Sequence, residues 1–315
     1  MSNNLKSKDG PFVSVIICTQ NRREYLKDYS LSSVLESSYP NYEVIVIDDA
    51  SKDGTEEFLN TYKDITGRLK VVRNKVSKGT SYARNVGVFH AQGEIIAFID
   101  DDCLVDKNWL SELVTTHLKD ETLMAIGGFS YDGHSDKKAY FPYDGIFGCN
   151  MSFKKEVFNR FLFDKNIFFH RTSHHEETDL INRIKDHGFR TGYANKAVVR
   201  HFSAPAAYRK INSKIGSHVN WIYFKAKKLP LALYYYKLFK RSYQMYKIIK
   251  RLHSEGVLSF LNTWREIIWA NCVLLFELPL KAKFANWHEE RAFIKGVERS
   301  TVLNFRHIFL FKPPL

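Results

Sequence analysis

Four short apolar segments alternate with helix-like segments in the N-terminal third of the chain, and this alternation constrains the fold more than any other feature. Three segments have the length and the β-branched content of a buried strand, namely Phe12–Cys18, Tyr42–Ile47 and Glu94–Ile99, and Leu69–Arg73 is a short strand between the last two. Strands that alternate with helices are typical of a sheet whose strands run parallel and whose two faces are covered. The sequence therefore predicts an α/β fold with a mostly parallel sheet flanked by helices.

Carboxylates follow two of these segments directly. Asp48-Asp49 ends the second segment, and Asp100-Asp101-Asp102 ends the fourth. In a parallel sheet these ends share one edge, which is where ligands bind in open α/β folds. Such a cluster is costly unless a cation neutralises it, and its oxygen atoms suit Mg²⁺ or Mn²⁺ shared with a phosphate. The alternative is a solvated acidic turn.

The familiar phosphate-binding loops are missing from the sequence. No GxGxxG follows the first segment, and no GxxxxGK[ST] occurs anywhere. An ordinary dinucleotide or P-loop site is therefore disfavoured. Any phosphate would be held by a metal ion and by basic side chains such as Arg84.

Charge is unevenly distributed along the 315 residues. The stretch from Ser203 to the end holds 20 Lys/Arg and 6 Asp/Glu, a net charge of +14, whereas the preceding part carries −1. Two parts with such different charge are expected to have different roles. We predict a polar tail over residues 1–10, an α/β domain over 11–203 and a basic, aromatic-rich helical region over 204–315.

Cysteine usage and hydropathy indicate the cellular setting. The four cysteines form no CxxC pair, which is typical of a reduced, intracellular protein; they are Cys18, Cys103, Cys149 and Cys272. The N-terminus has no apolar signal core, and no apolar run reaches the roughly 18 residues of a membrane span. We expect a cytoplasmic protein, either free or peripheral on the cytoplasmic membrane face.

A series of short motifs resembles family 2 glycosyltransferases of the GT-A fold, a Rossmann-like arrangement. The resemblance extends from about residue 12 to about 201, and its motifs occur in the family's order: Val13–Ile17, Asn21-Arg22, Val46–Thr55, Ala83–Asn85, Phe98–Asp102, Gly127-Gly128, Gly148–Lys155, Glu176–Leu180 and Val198–His201. It implies a metal-dependent enzyme that transfers a sugar from a nucleotide-sugar, with UDP as the expected nucleotide. The implied acceptor is a polysaccharide, a lipid-linked glycan or a surface glycan.

The resemblance also suggests which residues bind the donor. Asp102 is the expected metal ligand, with Asp100 and Asp101 close by, and His201 is either a further ligand or a structural histidine. Asp49 is the expected acceptor for a pyrimidine imide N–H. The remaining nucleotide contacts are expected from Thr19, Asn21, Asp101 and Arg84, although Arg84 would alternatively form a salt bridge on a helix surface.

A general base must accept the proton of the acceptor hydroxyl. The family position for this base is occupied by Glu177, where Asp is usual, and Glu176 is the second candidate. Asp179 either belongs to the pocket or braces its helix, and Asn150 lies in the stretch that the family has beside the acceptor. A carboxylate base without a covalent nucleophile implies, by the resemblance, a single displacement with inversion.

The basic C-terminal region has several interpretations. Amphipathic helices bearing Lys, Arg, Tyr and Trp, expected over about 206–252 and 257–278, suit an anionic membrane surface, or they form a helical cap on the catalytic domain. Nucleic-acid binding is not expected, because no binding motif accompanies the charge. Two alternatives to an enzyme stay open: an inactive nucleotide-sugar-binding partner protein and a nucleic-acid-binding protein that has kept the fold.

Overall fold

The structure is a computed structural model that describes most of the N-terminal two thirds of the chain. The described residues are 10–62, 64–134, 145–167 and 175–202, together with 220, 223, 224, 227, 247 and 250. Residues 1–9 of the predicted tail and nearly all of the predicted C-terminal helices lie outside the described residues.

Eight strands form a single mixed sheet in the described part of the chain. They are β1 Val13–Thr19, β2 Tyr42–Asp48, β3 Leu69–Arg73, β4 Ile95–Asp100, β5 Cys103–Val105, β6 Leu123–Asp132, β7 Met151–Lys154 and β8 Arg190–His201. The order is β3-β2-β1-β4-β7-β6-β8-β5. Six strands run in the same direction, and only β5 and β7 run against their neighbours. The predicted mostly parallel sheet is confirmed, with two antiparallel strands that the sequence patterns did not indicate.

Helices cover both faces of this sheet. They are α1 Arg23–Tyr25, a π-helical turn Leu26–Leu31 and α2 Ser32–Leu35 in succession, then α3 Thr55–Thr61, α4 Thr80–His90, α5 Trp109–Lys119, the 3₁₀ turn Lys155–Asn159 and α6 Glu176–Asp186. Alternate residues of β1 enter two separate cores, because successive side chains of a strand point to opposite faces. Val15 and Ile17 pack in the core that includes Trp109 of α5, whereas Ile16 packs in the core that includes Leu180 of α6.

Strand register brings the C-terminal ends of the parallel strands to one edge. Thr19 of β1 pairs with Asp48 of β2, and Cys18 pairs with Asp100 of β4. On the far side of the sheet, β8 ends at His201, opposite Cys103 of the antiparallel strand β5. Both acidic clusters and His201 are therefore delivered to the same edge by the backbone.

The opposite edge contains a buried polar network. Glu43 of β2 accepts hydrogen bonds from Ser14 Oγ (2.6 Å) and from the backbone N–H of Gln92 (2.8 Å), and it pairs with Lys70 Nζ (2.6 Å). Burial opposes ionisation of Glu43, but these contacts outweigh it and lower the pKa of the carboxyl. Gly93 allows the close approach, since a Cβ there would lie 2.4 Å from the Ser14 nitrogen. This network joins β1, β2 and β3 at the end remote from the acidic clusters.

The chain divides into two compact units, one comprising residues 1–165 and 176–205 and the other 166–175 and 206–315. All the strands and helices named above belong to the first unit. The domain boundary predicted at residue 203 stays a prediction. Within the described residues, no helix combines the length and the apolar character that a bilayer span requires.

Candidate active site

The two acids that follow the end of β4 are buried and paired. Asp101 accepts a hydrogen bond from Thr19 Oγ1 (2.8 Å) and forms an ion pair with Arg22 Nη1 (2.9 Å). Asp102 Oδ2 lies 2.5 Å from Arg22 Nη2. Both acids are 3% exposed. Arg22 therefore neutralises the acidic edge from the loop after β1.

These neighbours shift the two carboxyl groups in opposite directions. Burial raises the pKa of Asp101 to about 7, against the opposing effect of Arg22. Burial acts in the same sense on Asp102, but hydrogen bonds from His201 and Arg22 outweigh it and lower the pKa of Asp102 to about 2. Asp102 is thus the member of the pair that is charged at neutral pH, as a carboxylate that ligates a cation must be.

A group with the donors of a metal site forms around Asp102. His201 Nε2 lies 3.2 Å from Asp102 Oδ1, and the ligand atoms of Asp102, Cys103 and His201 all lie within 4.8 Å of one another. Burial alone would lower the pKa of His201, but the hydrogen bond to Asp102 raises it to about 9. The carboxylate oxygens of Asp102 suit Mg²⁺ or Mn²⁺, and His201 offers an imidazole nitrogen beside them. The cationic guanidinium of Arg22, which already contacts Asp102, indicates that positive charge is stable at this position.

Asp100, the third predicted metal residue, has a different partner. Its Oδ1 lies 3.1 Å from Nη2 of Arg84, and it is not part of the group around Asp102. Arg84 Nη1 also contacts Glu176 Oε1 at 2.8 Å, and Nη2 donates to the carbonyl of Gly148 at 3.3 Å. Arg84 is 3% exposed, so the alternative of a salt bridge on a helix surface is wrong. It is a buried bridge between the end of β4 and the start of α6.

The two candidate bases stand at the N-terminus of α6 in different environments. Glu176 is 5% exposed; one oxygen is bound to Arg84, and the other, Oε2, is buried without a hydrogen-bond partner. Glu177 is partly exposed, and desolvation together with the neighbouring Glu176 carboxylate raises its pKa to about 8. Asp179 is buried and forms an ion pair with Arg183 Nε at 2.9 Å, as expected of a residue that braces the helix.

The nucleotide candidates in the loops after β1 and β2 are engaged with protein groups. The Asp49 carboxylate accepts hydrogen bonds from Asn74 Nδ2 (2.8 Å), Ser77 Oγ (2.9 Å), and the backbone N–H groups of Lys78 (3.0 Å) and Gly79 (2.8 Å). It therefore holds the segment that leads into α4. A nucleobase would have to replace some of these donors to reach it.

Asn21 connects the same two loops. Its backbone N–H donates to Ser51 Oγ (2.9 Å), and its side-chain oxygen accepts from the N–H of Lys52 (2.6 Å). It has a φ of 52°, in the left-handed region that Asn tolerates better than most residues. Asn21 thus holds the loop after β1 against the loop after β2, at the sheet edge where the acids lie.

The buried side chain of Asn150 connects helix α5 with strands β6 and β8 through hydrogen bonds. Its Oδ1 accepts from Trp109 Nε1 (2.9 Å), and its Nδ2 donates to the carbonyls of Phe129 (3.1 Å) and Ala197 (2.9 Å). It is 0% exposed. The side chain contacts protein groups in α5, β6 and β8, so its predicted place in a donor or acceptor pocket would require these bonds to break.

Arg22 and Cys103 belong to the site but were not among the predicted site residues. Arg22 lies 80 positions from Asp102, and the only sequence signal was its place in the Asn21-Arg22 motif. Cys103 reaches the group because β5 pairs antiparallel with β8 and sets it opposite His201. A three-residue strand has no recognisable pattern of its own.

Comparison with known proteins gives a consistent result. The profile of glycosyl transferase family 2 matches residues 14–185. The putative teichuronic acid biosynthesis glycosyltransferase TuaG of Bacillus subtilis is 36% identical over 120 residues, covering 38% of this chain and 47% of TuaG. WfgD of Escherichia coli is 34% identical over 121 residues, covering 38% of this chain and 47% of WfgD. WfgD is a UDP-Glc:alpha-D-GlcNAc-diphosphoundecaprenol beta-1,3-glucosyltransferase. The chain spans about half the length of these curated relatives.

A solved structure resembles the chain over nearly its whole length. The mannosyltransferase PcManGT from Pyrobaculum calidifontis, in complex with GDP-Man and Mn²⁺, matches with a TM-score of 0.53 at 20% identity, over 96% of this chain and 81% of that one. At this identity the likeness shows the fold alone. The predicted GT-A fold is confirmed.

Proposed function

The chain belongs to glycosyl transferase family 2, and from this premise we propose that it transfers a sugar from a nucleoside-diphosphate sugar to an acceptor hydroxyl. The expected donor is a UDP-sugar, and the expected acceptor is a polysaccharide, lipid-linked or surface glycan. The observation that carries the proposal is the Arg84 bridge. It joins Asp100, beside the carboxylates that we assign to donor binding, to Glu176, beside the proposed base Glu177.

The donor side is assigned to the acidic edge. Asp102 and His201, with Asp100 nearby, would hold Mg²⁺ or Mn²⁺, and the bound cation would stabilise the charge of the departing diphosphate. Thr19 and Asp101 would line the nucleotide pocket with Asn21 and Arg84. Asp49 would bind the base by exchanging one of its loop donors for an imide N–H.

The acceptor side is assigned to the N-terminus of α6. In one step, the acceptor oxygen bonds to the anomeric carbon, the bond from that carbon to the diphosphate breaks, and the hydroxyl proton passes to Glu177. The nucleoside diphosphate leaves with the bonding electrons, and the anomeric configuration inverts. A raised pKa supports this role, because a base whose pKa lies near the working pH retains the proton it receives.

The test measures ligand binding and turnover together. Thermal unfolding of the full chain is followed with UDP, GDP, dTDP and CMP, each with and without Mn²⁺, and nucleotide release is assayed with the matching sugar donors. A ligand at 100 times its dissociation constant adds about 2.7 kcal/mol to the free energy of unfolding. We expect a metal-dependent shift with one nucleotide that is lost in Asp102→Asn and kept in Asp106→Asn, whose side chain is exposed. Binding without turnover would favour the inactive partner protein, and no shift with any nucleotide would contradict the proposal.

We extend the proposal to the basic C-terminal segment, which would contact an anionic membrane surface beside a lipid-linked acceptor. The support is its net charge of +14 and its aromatic content. Sedimentation with vesicles of phosphatidylglycerol and phosphatidylcholine should remove the full chain from solution at low salt and release it at high salt. Equal binding to neutral vesicles, or binding to duplex DNA that is just as strong, would contradict the membrane assignment.

A further inference from the structure

Arg22 holds both buried carboxylates at the position where the metal ion is proposed to bind. Its Nη1 lies 2.9 Å from Asp101 Oδ1, and its Nη2 lies 2.5 Å from Asp102 Oδ2. His201 contacts the other oxygen of Asp102, Oδ1. Each oxygen of Asp102 therefore already has a cationic partner, and a divalent cation that binds this carboxylate would come close to both positive charges.

Arg22 is the partner that is free to leave. His201 is the last residue of β8 and is itself a proposed metal ligand, because its imidazole can bind a cation once it has lost its proton, whereas the guanidinium of Arg22 stays charged and cannot be a ligand. Arg22 lies in the loop between β1 and α1, and its side chain is 28% exposed. A guanidinium and a divalent cation repel each other when they share one carboxylate, so binding of the cation favours movement of Arg22.

The Arg22 side chain has donor capacity that its present contacts do not use. Nε is buried and has no hydrogen-bond partner, which is unusual because an unsatisfied buried donor is costly. The guanidinium also lies 4.9 Å from the ring centroid of Tyr25, a contact that guides its orientation. A planar fork with a free Nε–H is suited to the oxygens of a diphosphate.

We propose that Arg22 couples metal binding to nucleotide binding. In the free protein it neutralises Asp101 and Asp102; when a divalent cation binds, it releases Asp102 and contacts the diphosphate of the donor. This inference rests on the proposed function. It requires that the cation binds weakly alone and more tightly with a nucleoside diphosphate, and by linkage each ligand raises the affinity of the other by the same factor.

The test measures Mn²⁺ binding without turnover. The dissociation constant for Mn²⁺ is determined by calorimetry on the full chain, alone and with saturating UDP or GDP. We expect Arg22→Met to bind Mn²⁺ about tenfold more tightly than the wild type without nucleotide, and the enhancement by nucleotide to fall toward one. Arg22→Lys, which carries a single donor group in place of the fork, should lie between. The matched control is Arg23→Met, since Arg23 is exposed and pairs with Glu24.

The outcomes separate this inference from the function on which it rests. If Mn²⁺ binds to the wild type with nucleotide and Arg22→Met shows an unchanged or weaker affinity for Mn²⁺ alone, the coupling role is wrong and the metal site stands. If neither the wild type nor any variant binds Mn²⁺ under any condition, the coupling role and the proposed metal site are both wrong. Circular dichroism verifies that each variant is folded, and Arg22→Lys decides the question if Arg22→Met is not.

Discussion

Arg84 Nη1 lies 2.8 Å from Glu176 Oε1, and this contact joins α4 to the first residue of α6 across 92 positions of sequence. The same guanidinium contacts Asp100. The guanidinium that is proposed to line the nucleotide pocket therefore also aligns the two halves of the site. A Cβ at Gly148 would lie 2.7 Å from Arg84 Nη2, so Gly148 provides the space the guanidinium occupies.

Removal of Arg84 should lower both stability and activity. Arg84→Met leaves Glu176 buried and unpaired, and breaking a buried pair in this way costs about 3 to 5 kcal/mol. Urea unfolding measures the loss, and the double variant Arg84→Met/Glu176→Gln should lose less than the sum of the single variants. The control is Arg190→Met, because Arg190 pairs with Asp120 at the surface. Equal losses for Arg84→Met and Arg190→Met would contradict a structural role for the bridge.

Replacement of Glu177 separates catalysis from binding. Glu177→Gln should lower kcat by about 100-fold or more, as for loss of a general base, while the nucleotide-induced thermal shift is retained. Glu177→Asp should recover part of the rate. If Glu176→Gln removes turnover and Glu177→Gln does not, the base is Glu176.

The same residue predicts a pH profile. The pKa of Glu177 is raised to about 8, so the carboxyl is protonated over much of the neutral range. A base acts in its deprotonated form, and kcat/KM should therefore rise with pH and level off above about 8. The rise should be absent from the residual activity of Glu177→Gln, and a profile that falls across this range would exclude Glu177 as the base.

Replacement of Asn150 distinguishes a structural role, in which its side chain connects α5, β6 and β8, from a role in the donor or acceptor pocket. Asn150→Ala removes three hydrogen bonds among α5, β6 and β8, and at about 1 kcal/mol each the free energy of unfolding should fall by about 3 kcal/mol. Gly128→Ala should also destabilise the protein, because its Cβ would lie 2.4 Å from Asn150 Nδ2 and 2.6 Å from the Ala197 carbonyl oxygen. Unchanged stability of Asn150→Ala with a raised KM for donor or acceptor would instead establish the pocket role.

His117 should make the protein sensitive to mild acid. Burial lowers the pKa of this histidine from 6.5 to about 4, and its Nε2 lies 3.0 Å from Ser152 Oγ. Between these two pH values the unfolded chain binds a proton that the folded chain does not. The free energy of unfolding should therefore fall by about 3 kcal/mol as the pH is lowered through this window. His117→Gln should lose this dependence, and His90→Gln, at an exposed position, should keep it.

Local patterns predicted the elements whose signals are local. Strand β3 begins and ends at the residues of its predicted segment, Leu69–Arg73, because the signal lies within the segment itself. Strands β5 to β8 were not among the four predicted segments, and β5 and β7 pair antiparallel with partners far away in the sequence.

The candidate site was predictable as a location but not as a network. The acids at the ends of β2 and β4 indicated the edge, because parallel strands must end together. The sequence could not show that Asp49 is bound by the segment before α4 or that Arg22 reaches Asp101 and Asp102, since side-chain partners depend on how the loops fold back. The buried state of Asn150 likewise follows from Trp109, which lies 41 positions away.

The polar network around Glu43 has a practical consequence for protein engineering. It stabilises the strands at the end remote from the presumed chemistry, through Ser14, Lys70 and the Gln92 backbone. Thermostability can therefore be sought by optimising residues around this end, such as the half-exposed Lys70, without altering the acidic edge. Substrate range can then be diversified at exposed positions of the opposite edge, while the stabilising contacts of Arg84 with Asp100 and Glu176 are kept.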